Sequence, residues 1–237
     1  MLELIAHRFL LALFRRGRTL SLAMLAGSAL LPATSSAYLI DGTKWLRGEA
    51  EFYVAVPGLS ASEISWNSAV IDSLNNWSTN TLFNFTVVEE YKDPCVVDGF
   101  SSIDFSEDYC GSEFGANTLA VATRRFEKQE LGSPNIIESD IVVNSEERYD
   151  IFDGPLVQLG FHNNGVDFKR IALHELGHVI GLDHEETKPA IMGPTISDVF
   201  ELQEDDIAGV NALYSGLENC EIKRLPFGSS SETLGSG

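Results

Sequence analysis

Residues 174–184 read His-Glu-Leu-Gly-His-Val-Ile-Gly-Leu-Asp-His, the pattern H-E-x-x-H-x-x-G-x-x-H. Side chains four apart on a helix sit one turn apart on one face. A helix over 168–181 therefore sets His174 beside His178, and two neutral imidazoles so placed can hold one Zn²⁺. Glu175, next to the first, can reach a water at the metal as general base. Gly181 supplies the break: without a Cβ it can turn the chain sharply and end the helix. The turn returns His184 as a third nitrogen ligand. Three protein ligands with one open position suit catalysis, whereas a structural zinc site is closed by four. Five specified positions, three of them His, recur by chance with odds on the order of 10⁻⁷ per starting point.

The elements that must position this stretch can be read from the rest of the chain. Glu49–Val56 (EAEFYVAV) is rich in β-branched and aromatic residues and stops at Pro57-Gly58, so it reads as a strand and turn. Ser60-Ala61-Ser62-Glu63 has the spacing of a capping box and predicts a helix from there to about Trp77. Trp66, Val70, Leu74 and Trp77 mark its buried face. Further strands are predicted at Phe83–Glu89, near Ser102–Phe105, at Thr118–Phe126 and at Ile136–Asn144, with a loop over 145–166. A last helix runs from about Gln203 to Tyr214. Glu204, Asp205 and Asp206 lie in its first turn, where the helix dipole favours negative charge, and Gly216 follows its end.

Composition sets the outer limits. A chain of 237 residues, 44% hydrophobic, is one domain with processed ends or two small ones. Its net charge of −19 argues against nucleic acid as a partner, since phosphate backbones attract basic surfaces. Residues 1–37 differ: Arg8, Arg15, Arg16 and Arg18 precede an apolar run from Thr19 to Leu31, and Ser35-Ser36-Ala37 offers small residues at a cleavage point. This is the pattern of a secretory signal peptide, and the apolar run falls short of the ~20 residues a membrane span needs. We expect a secreted or periplasmic protein, monomeric, with no stable membrane association after signal removal. Beyond residue 37 stand Cys95, Cys110 and Cys220. Cys95–Cys110 closes a short loop, but Cys220 could pair with either. Residues 217–237, Ser/Gly-rich towards the end, are expected to be a disordered tail.

The motif resembles the metzincin metallopeptidase signature, which carries a methionine-containing turn after the third histidine. Ala190-Ile191-Met192-Gly193-Pro194 supplies that turn, eight residues from His184 to Met192. Asp167–Leu173 before the motif and Asp205–Tyr214 after it narrow the resemblance to the matrixins, strongly over about 165–215 and more weakly back to Trp45. The resemblance implies an α+β, zincin-like catalytic domain over 38–216. Its twisted, mixed, five-stranded sheet would have one antiparallel edge strand and three helices. Substrate, a protein or peptide in extended form, would lie below that edge, with Thr118–Ala122 the best candidate for it. An extended peptide can add to such an edge through main-chain hydrogen bonds. The implied chemistry is hydrolysis of peptide bonds by zinc-activated water, with His174, His178 and His184 as ligands and Glu175 as base. Met192 would form a floor under the histidines, Asp205 would brace the active-site region, and Arg170 would shorten the apolar S1′ pocket.

Three departures from animal matrix metallopeptidases shape the expectation. No P-R-C-G-type cysteine switch precedes the domain, and Asp93-Pro94-Cys95 lies inside it. The second, structural zinc of those enzymes needs more histidines than His162 supplies. No hemopexin-like domain follows. The pattern looks like a compact, bacterial-type matrixin. Calcium is carried as a structural ion without assigned ligands: Asp140, Asp150, Asp153 and Asp167 offer the hard oxygens it prefers, but no loop has EF-hand spacing. The alternative to an enzyme is a catalytically silent secreted binding module that keeps the fold. Glu175 discriminates between them, since such a module often loses the base.

Overall fold

The computed structural model describes residues 38–40, 42–156 and 165–216. The expected signal peptide, His162, Cys220 and the tail lie outside these residues. Ten elements follow in chain order: β1 (Glu49–Val54), α1 (Trp66–Asn80), β2 (Asn84–Val88), β3 (Ser101–Ser106), β4 (Ala120–Glu127), β5 (Asn135–Asn144), β6 (Tyr149–Asp150), β7 (Val166–Asp167), α2 (Phe168–Ile180) and α3 (Glu204–Tyr214). Five strands form one sheet in the order β2-β1-β3-β5-β4. All neighbours are parallel except β4, which runs antiparallel to β5 and forms an edge. The fold class is as expected, and β4 overlaps the segment predicted to be that edge. No helix among the described residues is long and apolar enough to cross a membrane.

The strands follow their side-chain patterns. β1 alternates, with Ala50, Phe52 and Val54 buried, as a strand with one covered face must. In the interior, β5 is buried on both faces over most of its length, which its run Ile141-Val142-Val143 suits. The helices cover the face that carries Phe52, Val54, Ile103, Ile141 and Val143, and these residues share one core with Leu74, Trp77, Phe168, Leu173 and Leu176. Trp77 is fully buried, and its indole Nε1–H donates to Leu173 O at 3.0 Å, fixing α1 against α2.

Two local expectations are corrected. The helix predicted from Ser60 starts at Trp66, capped by Ser65, whose hydroxyl accepts from Ser68 N. Ser60-Ala61-Ser62-Glu63 instead makes a turn. The Ser60 hydroxyl accepts from Ser62 N and Ile64 N, and Glu63 takes a positive φ of 61°, which a helix does not allow. Buried Asp150 fastens this turn, accepting from Ser62 N and Ser62 Oγ at 2.9 Å each. The loop predicted over 145–166 contains the short parallel pair β6–β7. The pairing Cys95–Cys110 is formed.

The other face of β5 carries two acids, Glu138 and Asp140, buried to 2% and 1% exposure. Glu138 accepts from Arg125 Nε and Gly99 N, both at 2.6 Å, while Asp140 accepts from Ser102 N at 3.0 Å and Ser102 Oγ at 3.2 Å. Burial, and then the charge of Glu138, pushes Asp140 up from 3.8 to about 7. Between those values the folded state holds a proton that the unfolded chain has released, so stability falls as pH rises from about 4 to 7. The slope at full effect is on the order of 1 kcal/mol per pH unit. Other buried groups titrate in the same window, so the test is a difference: from pH 4.5 to 7.5 the urea midpoint of Asp140→Asn is expected to gain on that of the native chain. An unchanged slope in the variant would show that Asp140 does not carry the effect.

Candidate metal centre

The centre is built on α2 and the turn that ends it. Asp167 caps the helix start by accepting from Lys169 N. At the other end Gly181 has φ 119°, and its N–H reaches Gly177 O and His178 O. A side chain there is excluded twice: by backbone conformation, and because a Cβ would lie 2.7 Å from Thr43 O. The chain therefore reverses and brings His184 back to the helix. Ring centroids of His174 and His178 are 4.8 Å apart, and His184 stands 5.1 Å from the first and 4.8 Å from the second. One donor atom from each ring lies within 4.8 Å of the others, and His174 Nε2 is 3.3 Å from His184 Nε2.

The hydrogen bonds around the rings suit a cation. Nδ1 of His174 is 2.8 Å from Ile191 O, and Nδ1 of His178 is 2.8 Å from Leu182 O. A carbonyl only accepts, so each Nδ1 carries the proton and each Nε2 presents a lone pair, as neighbours of a metal-binding histidine arrange it. Burial pushes His174 down to about 4, and burial with the adjacent His174 pushes His178 down to about 3, so both rings are neutral at pH 7. Three imidazole nitrogens in this space fit Zn²⁺. Among the described residues, no other group of three such side chains is gathered closely enough to hold a metal, and Asp140, Asp150, Asp153 and Asp167 do not converge.

Glu175 is 7% exposed, and burial raises its pKa to about 7 against the opposing hydrogen bond from Ala122 N. That bond ties the acid on α2 to the edge strand β4. Met192, 2% exposed, packs where Gly177 leaves room: a Cβ on Gly177 would run into Met192 Sδ and come within 3.2 Å of Trp77. Met192 thus packs its thioether against the backbone of α2 at Gly177.

The bracing acid is Asp206, and the assignment to Asp205 is corrected. Asp206 is 2% exposed and accepts from Ile191 N at 3.0 Å, Met192 N at 3.1 Å and Gln203 N at 2.8 Å. Asp205 instead pairs at the rim with Lys188 Nζ, 2.8 Å away. The helical phase of α3 gives the signal. Asp206, Gly209, Val210 and Leu213 follow the spacing of one buried face, and Asp205 falls off it.

Other supports come from far along the chain. Leu39 O accepts from Asp183 N at 2.8 Å, and Ile40 pairs with Leu182. Trp45 Nε1 donates to Val179 O, and the Tyr214 hydroxyl donates to Ile180 O at 2.6 Å while accepting from Trp45 N. Arg124 on β4 reaches Asp183 Oδ1 and Thr43 Oγ1. Arg170 is buried at 3% exposure, ion-paired with Asp167 at 3.3 Å. Its guanidinium donates to Gly154 O and Ser197 O and lies between the rings of Phe152 and Phe200.

A mixed sheet with one antiparallel edge, a helix broken at a glycine, three converging imidazoles and a buried methionine together mark a metzincin-type domain. A family model described as matrixin matches residues 44–215, and the chain belongs to the matrixin family. It is similar to metalloendoproteinase 2-MMP of Arabidopsis thaliana, 25% identical over 181 residues, covering 74% of this chain and 44% of that protein. Stromelysin-3 of Mus musculus is also 25% identical over 181 residues, covering 75% of this chain and 32% of the relative. A shorter match, 45% identical over 58 residues, joins 23% of this chain to 12% of macrophage metalloelastase of Oryctolagus cuniculus. The matches thus span less than half the length of these relatives.

Proposed function

We propose that this chain is an exported zinc endopeptidase in which Glu175 is the general base. The observation that carries the proposal is the convergence of His174, His178 and His184 beside a buried carboxylate anchored to the edge strand. His174, His178 and His184 would hold Zn²⁺, which would supply Lewis acidity to the scissile carbonyl and to the attacking water. The extended substrate pairs with the free side of β4 through main-chain hydrogen bonds. Because Ala122 lies on that same strand, the contact that registers the peptide also registers Glu175. The Glu175 carboxylate takes the proton of the attacking water and returns it to the leaving amine. Arg170, held between two loops by its carbonyl partners, is a fixed wall rather than a mobile side chain, which supports the shortened S1′ pocket. Residues 1–37 direct export, residues 38–216 form the catalytic domain and 217–237 a tail, and the exported form acts as a monomer. Calcium remains part of the proposal as a structural ion with no assigned ligands.

The test is cleavage of a mixed peptide library by the purified chain. Expected is hydrolysis that a chelator abolishes and added Zn²⁺ restores. Cleavage that persists in the chelator would discard the mechanism, and zinc binding without cleavage would leave the silent binding module.

A further inference from the structure

His174 and His178 have their rings oriented by carbonyls that accept from Nδ1, and one of those carbonyls, Ile191 O, belongs to the loop that begins after His184. This loop, residues 185–192, therefore bears on two of the three rings: its first residue follows one ligand and its seventh orients another. Glu185 fastens its shape from within. Glu185 is 3% exposed. Its N–H donates to Met192 O at 2.8 Å, closing the loop at the base. Its Oε1 accepts from Thr187 N, Thr187 Oγ1 and, at 2.9 Å, Lys188 N, closing the loop at the turn. Its Oε2 is buried and has no hydrogen-bond partner among the described residues.

A buried carboxylate with one unsatisfied oxygen is costly to keep unless something offsets it. A neutral turn residue could have received one or two of these N–H groups at less expense. We infer that Glu185 is a positioning residue of the metal centre: by gathering three donors on one oxygen it fixes loop 185–192, and so sets both the return of His184 and the carbonyl that orients His174. It touches neither substrate nor metal in this role. Neighbours that orient ligands typically change metal affinity 10–100-fold when removed.

The inference rests on the histidines holding zinc, and the experiment separates the two. Zinc affinity of the full chain is measured by competition with a chromogenic chelator, and the ligand field by the absorption of the Co²⁺ form. In Glu185→Ala zinc affinity is expected to fall 10–100-fold with an altered Co²⁺ spectrum. In Glu185→Gln, whose amide oxygen can occupy the Oε1 position, it is expected to stay within about threefold of the native chain. Glu185→Ala within threefold of native overturns the inference, and so does an equal loss in Ala and Gln, which would assign the effect to charge. Should Glu185→Ala fail to fold, Thr187→Val, which removes one donor from Oε1, serves in its place: an affinity loss of several-fold supports the role and none overturns it. A native chain that binds neither metal sinks the zinc reading itself, before any variant is compared.

Discussion

Glu175→Gln is expected to lower kcat/KM for peptide cleavage by about 10²–10⁴-fold, the range a positioned general base contributes, while zinc content stays at that of the native chain. The glutamine matches the glutamate in shape and can still accept from Ala122 N through its oxygen, so β4 and α2 keep their register. What it cannot do is take up a proton at neutral pH. The three imidazoles gain no new neighbour and keep their own carbonyl partners at Ile191 and Leu182. Activity and metal binding should therefore separate. Metal analysis beside steady-state kinetics checks this, and a variant cleaving within tenfold of the native rate would remove Glu175 from the proton transfer.

Asp206→Ala is expected to cost about 3–5 kcal/mol of folding stability, because three main-chain donors lose their acceptor at once and each buried donor left unpaired costs about 1–3 kcal/mol. Ile191 and Met192 are themselves buried, so water cannot readily replace the carboxylate. Asparagine is no substitute, since its single carbonyl oxygen cannot serve both positions that Oδ1 and Oδ2 now fill. The neighbouring Asp205→Ala should cost less, since its partner at 2.8 Å is the partly exposed Lys188 ammonium, whose charge water can take over. Urea unfolding of the two variants in the absence of metal gives the comparison directly. Equal losses would contradict the assignment of the brace to Asp206.

The contrast between those adjacent acids shows what the amino-acid order does and does not disclose. The convergence of the three histidines was legible because it is set by backbone periodicity alone: four residues make about one helical turn, and a glycine ends it. The sheet was legible for a similar reason, since apolar alternation and turn residues bound each strand. Asp206 needed one more step, the phase of α3, which its buried residues supply. The start of α1 was misplaced because S-x-x-E serves a cap and a turn equally well. Ser60 uses its hydroxyl in the turn, while Ser65, without an acid three residues on, is the true cap. β6 and β7 are two residues each, too short to display a period. Arg124 with Asp183, Leu39 with Asp183 and Tyr214 with Ile180 join positions far apart in the chain, and no local pattern announces such pairs.

The hydroxyl of Tyr214 and the carboxylate of Asp206, both on α3, reach back to hold the end of α2 and the loop after it. A chain cut short before α3 would lose both at once: the acceptor that fastens Ile191, whose carbonyl orients His174, and the hydroxyl that holds the end of α2 at Ile180.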